Sequence, residues 1–378
     1  MAKRNNTIDR FIEKLMLSTN PENAIWNVEL LRQGKKPTWN YIDGCMMTSM
    51  LSLYDFTKEE RYLDFVIQYT NYFVNEDGTI NGYDKKHYST DDVSQSRILF
   101  DLYKYTNNEK YLKAIHMSYE QVKEQPRTEA GNFWHKQIYP NQVWLDGIYM
   151  MQPFYTRYET EFNNKINYDD IVGQIKLVEK IMRDKDTGLY YHAYNEPKDM
   201  FWANKETGLS QHYWLRAIGW YLAGIADVYS YMEDVEKRAE LAELLKSSVD
   251  SLLKYQDEES KMFYQIVDLK DREPNYLETS GSLLASYAIL KGSRVGALPA
   301  NYAEIGSEIF EGVVNAKLTE VNGDLNLTSI CLVAGLGPEN NLRRDGTFEY
   351  YMSEPIVEND AKGVGPLIMA YSEMLQKK

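Results

Sequence analysis

Leu53-Tyr-Asp-Phe-Thr-Lys-Glu-Glu-Arg-Tyr-Leu63 and Leu102-Tyr-Lys-Tyr-Thr-Asn-Asn-Glu-Lys-Tyr-Leu112 are two copies of one unit, offset by 49 residues. In each copy an apolar run ending in Leu-Tyr meets a Thr followed three residues later by Glu: Thr57/Glu60 and Thr106/Glu109. That pairing predicts a capping box opening the next helix. Downstream of the first copy, Tyr62, Phe65, Val66, Tyr69 and Phe73 fall at helical spacing. The unit is helix, short turn, helix, then a longer aromatic loop, and a period of this size signals an array of helical hairpins.

Weaker copies extend the pattern in both directions. A helix apolar almost all round, with glycine in its first turn, recurs at Gly44–Tyr54, Gly147–Arg157, Gly219–Tyr231, Gly281–Leu290 and Gly363–Leu375; the copy at Val93–Tyr103 lacks the glycine. Between them lie more charged, amphipathic segments: Thr57–Val74, Thr106–Val122, Tyr168–Met182, Glu236–Tyr255, Ala300–Val314 and, at the start, Thr7–Leu17. Six segments suited to full burial and six suited to half burial predict two concentric layers. The expected fold is all-α, an (α/α)6 toroid or barrel of six helical hairpins, as a single domain over residues 1–378. A linear solenoid is the alternative, because closure is not written in a sequence.

The loops that follow the outer segments carry Gly78-Thr-Ile-Asn-Gly-Tyr83, Gly131-Asn-Phe-Trp-His135, Gly188-Leu-Tyr-Tyr-His192 and Met262-Phe-Tyr-Gln265, degenerate copies of one aromatic turn. If the barrel closes, all of them open at one end, where a cleft would form. The richest is Gly131-Asn-Phe-Trp-His-Lys-Gln-Ile-Tyr-Pro-Asn-Gln-Val-Trp-Leu-Asp-Gly147. Ordering tryptophans in a loop costs entropy with little burial in return, so this loop reads as the floor and clamps of a small polar ligand.

Charge and composition bound the ligand. The formal net charge is −14, which repels nucleic acid and anionic membrane surfaces, so neither is an expected partner. The 31 tyrosines suit carbohydrate, because the ring offers sugars a flat apolar face and the hydroxyl a hydrogen bond. Two cysteines, Cys45 and Cys331, are too few for a disulfide framework. No window reaches the apolar length of a membrane span, and the first residues lack an apolar leader core, so a cytoplasmic location is expected.

Candidate chemistry centres on aspartates at the starts of three inner helices: Asp43, the pair Asp91-Asp92, and Asp146. Helix capping is the plain reading of each. Converging carboxylates would push one pKa upward, as a general acid at neutral pH requires, while the helix dipole acts the other way. His135, His192 and His212 lie in or just after the aromatic loops, whereas His116 sits mid-helix in an outer segment. No His-x-x-x-His or Glu-x-x-His spacing occurs, so neither a metal nor another cofactor is expected. Arg216 and Trp220 share a helix face, and an arginine at the start of a buried helix needs an anionic partner, for which a substrate carboxylate would serve.

Phe133-Trp-His-Lys136, Tyr139-Pro-Asn-Gln142 and Trp144-Leu-Asp-Gly147 together resemble the unsaturated rhamnogalacturonyl hydrolases, glycoside hydrolase family 105. Gly188-Leu-Tyr-Tyr-His192, Trp214-Leu-Arg-Ala-Ile-Gly-Trp220 and Asp91-Asp92 match further motifs, and the similarity runs from about Trp39 to the C-terminus. The resemblance implies an (α/α)6 barrel that removes a Δ4,5-unsaturated galacturonyl residue from pectin-derived oligosaccharides. An aspartate protonates the C4=C5 vinyl ether, water adds at C5, and the hemiketal collapses. It implies Asp146 as acid and then base, with Asp91 or Asp92 as the second carboxylate; the repeat register with Asp146 favours Asp92. Tyr41, His135, Lys136, Trp144, His192, Arg216 and Trp220 would hold the sugar.

The expected partner is a small unsaturated oligosaccharide, and the protein a monomer or small homo-oligomer. The competing readings are an unsaturated glucuronyl hydrolase, another toroid sugar enzyme such as an epimerase, and a non-catalytic sugar-binding scaffold.

Overall fold

The computed structural model describes residues 4–377; Met1 to Lys3, read above as part of a leader-free start, and Lys378 lie outside the described residues. Fifteen α-helices are described: α1 (Asn6–Leu17), α2 (Val28–Gln33), α3 (Tyr41–Thr57), α4 (Glu60–Asn71), α5 (Thr90–Ser96), α6 (Ile98–Thr106), α7 (Glu109–Glu124), α8 (Asp146–Phe162), α9 (Tyr168–Met182), α10 (Leu215–Tyr231), α11 (Val235–Leu253), α12 (Thr279–Val295), α13 (Tyr302–Lys317), α14 (Phe348–Ser353) and α15 (Ala361–Gln376). Strands are few and short; β1 (Gln142–Trp144) pairs antiparallel with β2 (Ala193–Asn195).

The six apolar segments form the inner ring. α3, α5 with α6, α8, α10, α12 and α15 each pack on the next, and α15 packs on α3, so the ring closes and the solenoid alternative is excluded. α4, α7, α9, α11 and α13 lie outside α3, α6, α8, α10 and α12. The sixth hairpin is made across the termini. α1 docks on α15, where the Asn5 backbone N–H donates to the Tyr371 hydroxyl (2.8 Å) and that hydroxyl donates to Asp9. This is an (α/α)6 barrel, and its main core runs from Ile8 to Leu375. Among the described residues, no helix is long and apolar enough to cross a membrane.

Close helix approach accounts for Gly44, Gly219 and Gly281 among the recurrent inner glycines and for Gly365, whereas a Cβ at Gly147 would meet only His135 Nδ1, at 3.6 Å. A Cβ at Gly281 would lie 2.4 Å from Leu215 Cγ on α10, one at Gly365 2.8 Å from Cys45 Cβ on α3, and one at Gly44 2.9 Å from Gln95 Cα on α5. Interiors are packed too densely to admit those atoms without moving a helix.

The capping boxes predicted from the repeat do not form. Thr57 and Thr106 are the last residues of α3 and α6, and their hydroxyls donate back to Leu53 O and Leu102 O. The same hydroxyls accept from the N–H groups of Glu59 and Asn108, across left-handed residues Lys58 and Asn107. The repeated Thr therefore staples the turn from the side of the helix that ends. Glu60 and Glu109 merely open the helices that follow, where they complement the dipole.

The four aromatic turns are one structure. After each outer helix the chain reverses, with Asn75, Thr128, Asp184 and Asp257 donating backbone N–H groups to Thr79, Asn132, Leu189 and Met262. The left-handed position in these reversals is Gly78, Gly131 and Gly188, and in the fourth it is Lys261.

Alternation of outer and inner helices makes the inner six parallel, with N-termini at the loop end. Their C-termini converge at the other end around a cavity of about 340 Å³ lined by Arg97, Arg157, Lys291 and Arg294. Ion pairs fill it: Arg97 and Lys291 share the buried Asp227, Arg157 holds Asp101, and Arg294 holds Glu373. Cations there also complement the negative ends of six helix dipoles.

Candidate active site

The loop end is assembled by backbone hydrogen bonds between loops. The His135 N–H donates to Gln142 O (2.9 Å) and Thr90 N–H donates to His135 O (3.1 Å), which ties the second aromatic loop to the start of α5. The β1–β2 pairing opposes Trp144 to Ala193, and Leu145 N–H donates to His192 O (3.1 Å), which carries the third aromatic loop to the start of α8. His135, Trp144, Asp146 and His192 are thereby brought together from two separate loops.

His135 stacks on Trp144 with ring centroids 4.6 Å apart and planes 14° apart. Tyr139 packs on the same indole at 4.7 Å, and His192 meets its edge. Burial pushes the His135 imidazole down to about 4, so it is neutral at pH 7, and its Nδ1 lies 3.0 Å from the Thr90 hydroxyl. Asp146 is the first residue of α8; its side chain is 13% exposed, and its Oδ2 lies 3.4 Å from Nε2 of the fully buried His192. Neither of those two atoms makes a hydrogen bond within the protein, so they face each other across the 3.4 Å as an ion-pair contact.

None of the three aspartate sites caps its helix. Asn40, Ser89 and Leu145 occupy the N-cap positions, and the aspartates sit in the first turns. Asp43 is fully buried and accepts from Trp26 Nε1 (2.9 Å), which makes it a core residue.

Asp91 and Asp92 have different surroundings. Asp91 is the residue that faces the group: its Oδ1 lies 3.7 Å from His135 Nε2 and its Oδ2 accepts from Lys136 Nζ at 2.5 Å. Asp92 points toward Tyr83 and Asp84, because successive helical residues differ in direction by about 100°. The raised carboxyl expected from converging charges is Asp92, pushed up to about 7 by burial and by Asp91. Asp146 moves the opposite way: burial presses it upward, but the facing His192 more than offsets this and holds it below the usual carboxylate range.

Two other expectations are corrected. Trp220 is 1% exposed and packs on Tyr149 (4.4 Å), meeting the site through the edge of Tyr41. Arg216 stacks on Trp214 (4.8 Å), not on Trp220. Its guanidinium donates to the carbonyls of Cys331 (2.5 Å) and Leu332 and to Ser280 Oγ, which in turn donates to Glu278. Glu278, one hydroxyl away, balances that buried charge, so Arg216 does not require a ligand anion. Burial raises the Tyr41 phenol well above its ordinary value, with Asp91 adding to the rise and Arg216 opposing it.

Sequence reasoning missed two residues of the 319–360 loop. Tyr351, on α14, hydrogen-bonds His192 Nδ1 at 2.7 Å. Arg344 lies near Trp144: a Cβ at Gly335 would meet both the indole (3.1 Å) and Arg344 Nη1 (3.2 Å). Among the described residues its side chain has no carboxylate within 4 Å, in contrast to Lys136. No motif marks either residue; only long-range packing places them. Among the described residues no cluster of His, Cys, Asp and Glu is arranged to hold a metal.

The site combines a carboxylate at a helix N-terminus, an aromatic wall, two imidazoles and a half-buried arginine. Such a set can transfer a proton to a bound sugar and hold its carboxylate, since six inner N-termini add positive potential.

Residues 7–378 match the model of Glycosyl Hydrolase Family 88. A solved glycoside hydrolase from family 105 of C. acetobutylicum ATCC 824 is 42% identical; the match covers 93% of this chain and 99% of that one, with a TM-score of 0.86. The unsaturated rhamnogalacturonyl hydrolase YesR of Bacillus subtilis is 26% identical over 269 residues, 68% of this chain and 72% of that protein. A solved unsaturated glucuronyl hydrolase specific for heparin shares the fold at 14% identity, covering 98% of this chain and 94% of that one, with a TM-score of 0.66.

Proposed function

The chain belongs to glycosyl hydrolase family 88 and is a glycoside hydrolase of the unsaturated glycosyl type shared with family 105, and from that premise we propose that it releases a Δ4,5-unsaturated galacturonyl residue from rhamnogalacturonan oligosaccharides. The observation that carries this reading is Asp146, partly exposed at the head of α8, set between His192 and the His135–Trp144 stack. The similarity to YesR supports rhamnose on the leaving side.

In this reading Asp146 gives its proton to C4, positive charge develops at C5, and water attacks there. The water's proton returns to Asp146, and the hemiketal opens to a C5 ketone and a C1 hemiacetal that expels the leaving sugar. One water is consumed and the carboxyl is regenerated. His192 favours the ionised form of Asp146 before substrate binds. A bound uronate carboxylate and the loss of water from the site act against that ionisation, which lets the acid form in the complex.

Asp91, locked by Lys136, orients the attacking water together with His135. Tyr41 and Trp144 take the ring, and Arg344, aided by Arg216 and Lys136, takes the uronate carboxylate. The whole (α/α)6 unit, residues 1–378, acts as one catalytic domain on a small oligosaccharide in the cytoplasm.

A glucuronyl substrate is the second reading, favoured by the shared fold of the heparin-specific enzyme. The test is a series of unsaturated disaccharides differing in the uronyl residue and in the reducing-end sugar, followed by loss of the absorbance of the conjugated C4=C5 bond. Fastest turnover of galacturonyl-rhamnose supports the proposal. Preference for a glucuronyl substrate selects the second reading, and no loss of absorbance with any substrate overturns both.

A further inference from the structure

The Tyr351 hydroxyl lies 2.7 Å from His192 Nδ1, and His192 Nε2 lies 3.4 Å from Asp146 Oδ2. These three side chains form a line from the core to the partly exposed carboxylate. His192 is fully buried, so each ring nitrogen has one neighbour that decides whether it carries hydrogen. Tyr351 is itself immobilised. It is fully buried, its carbonyl accepts from Gln265 Nε2 (2.8 Å), and Tyr276 donates to the other end of that amide.

We propose that Tyr351 is a positioning residue: its hydroxyl donates to His192 Nδ1 and so fixes the imidazole as the tautomer whose Nε2–H faces Asp146. The opposite tautomer would aim a lone pair at a carboxylate and leave the buried Nε2 unmatched, at a cost typical of an unsatisfied polar atom. The phenol is protonated throughout the working range, because burial pushes it well above its ordinary value. The other titratable groups against this line are His135, neutral at pH 7, with Asp91 and Lys136 beyond it, His212, whose ring meets that of Tyr351 edge-on and whose pKa burial lowers, and Tyr350, Cys331 and Asp345 around Tyr351; none of them hydrogen-bonds His192 Nδ1. Tyr351 thus sets, through His192, how readily Asp146 takes up a proton.

The catalytic half of this inference rests on the hydrolase reading; the tautomer half does not. Selective ¹⁵N-histidine labelling of the full chain, with His192 assigned by its disappearance in His192→Gln, reads the tautomer directly. The wild type should show a protonated Nε2 and a hydrogen-bonded, unprotonated Nδ1. In Tyr351→Phe, which conserves volume, the Nδ1 signal should move to that of an unbonded nitrogen. The limb of the pH–kcat profile set by Asp146 should move to higher pH by about half a unit, with KM changed less than twofold.

A protonated Nδ1 in the wild type overturns the proposal without any variant. A Tyr351→Phe enzyme that loses activity equally at all pH values, with its limb unmoved, reduces Tyr351 to a packing role and likewise overturns it. Absence of turnover in the wild type, with the tautomer as described, sinks the hydrolase reading and leaves the hydrogen-bond assignment standing.

Discussion

His192 Nε2 faces Asp146 Oδ2 across 3.4 Å, while His135 stacks at 4.6 Å on the indole of Trp144, two residues before that aspartate. Asp146 therefore combines a facing imidazole, an aromatic wall and access to solvent. Asp146→Asn keeps shape and hydrogen bonding but cannot deliver a proton. Turnover should fall by about 10²–10⁴-fold, the usual contribution of a positioned acid–base group. The melting temperature should stay within a few degrees of wild type, as checked by circular dichroism. Retained activity would remove Asp146 from the acid role.

Asp91 and Asp92 are neighbours in sequence with opposite surroundings. Asp91→Asn breaks the contact with Lys136 and should reduce kcat by at least about tenfold, whereas Asp92→Asn should leave activity nearly intact. A reversed order in steady-state kinetics would reinstate the register argument.

Asp92 also predicts a pH effect on stability. Its folded pKa, about 7, lies above the ordinary 3.8, so the native state binds the proton more tightly than the unfolded chain. That contribution is fully present below about pH 4 and is lost as pH rises through 7. Asp92→Asn should match wild type in thermal unfolding at pH 4 and exceed it at pH 8, by about 1–3 kcal/mol. Equal melting temperatures at both pH values would show that Asp92 is better solvated than its burial indicates.

Arg344 lies beside Gly335 near Trp144, with no carboxylate partner among the described residues. If it takes the uronate carboxylate, Arg344→Ala should raise KM by about tenfold or more, as expected for a lost charged hydrogen bond. Arg344→Lys should recover part of that loss, because a point charge cannot match a bidentate fork. An unchanged KM would assign the carboxylate to Arg216 and Lys136.

Gly281 lets α12 lie against α10, with a hypothetical Cβ 2.4 Å from Leu215 Cγ and 3.0 Å from Arg216 N. Gly281→Ala should destabilise the barrel by about 1–3 kcal/mol, the usual cost of overpacking. It should also lower activity by displacing Arg216 and its neighbour Ser280. Denaturant midpoints and KM, measured together, check both effects.

The alternating apolar and amphipathic segments, the returning Leu-Tyr…Thr…Tyr-Leu unit and the inner glycines were sufficient to derive two helical layers from the sequence. Hydrophobic burial acts on local periodicity, so layer assignment is a local property. The loop 131–147 also identified its own site residues, because His135, Trp144 and Asp146 are joined by a short chain that cannot separate them far.

Closure of the ring required α1 to meet α15 through Asn5 and Tyr371, a contact between residues 366 apart that no periodicity encodes. Long-range packing likewise gave Asp91 and Asp92 opposite surroundings, turned Arg216 onto Trp214, and sank Trp220 beneath Tyr41. It also brought Tyr351 and Arg344 over a site whose motif lies two hundred residues earlier. Which way a side chain points depends on a helix's exact rotation and on what packs against it, and those are set by the whole barrel at once. Local spacing determined the layers and brought His135, Trp144 and Asp146 into one loop; the closed ring decided what surrounds them.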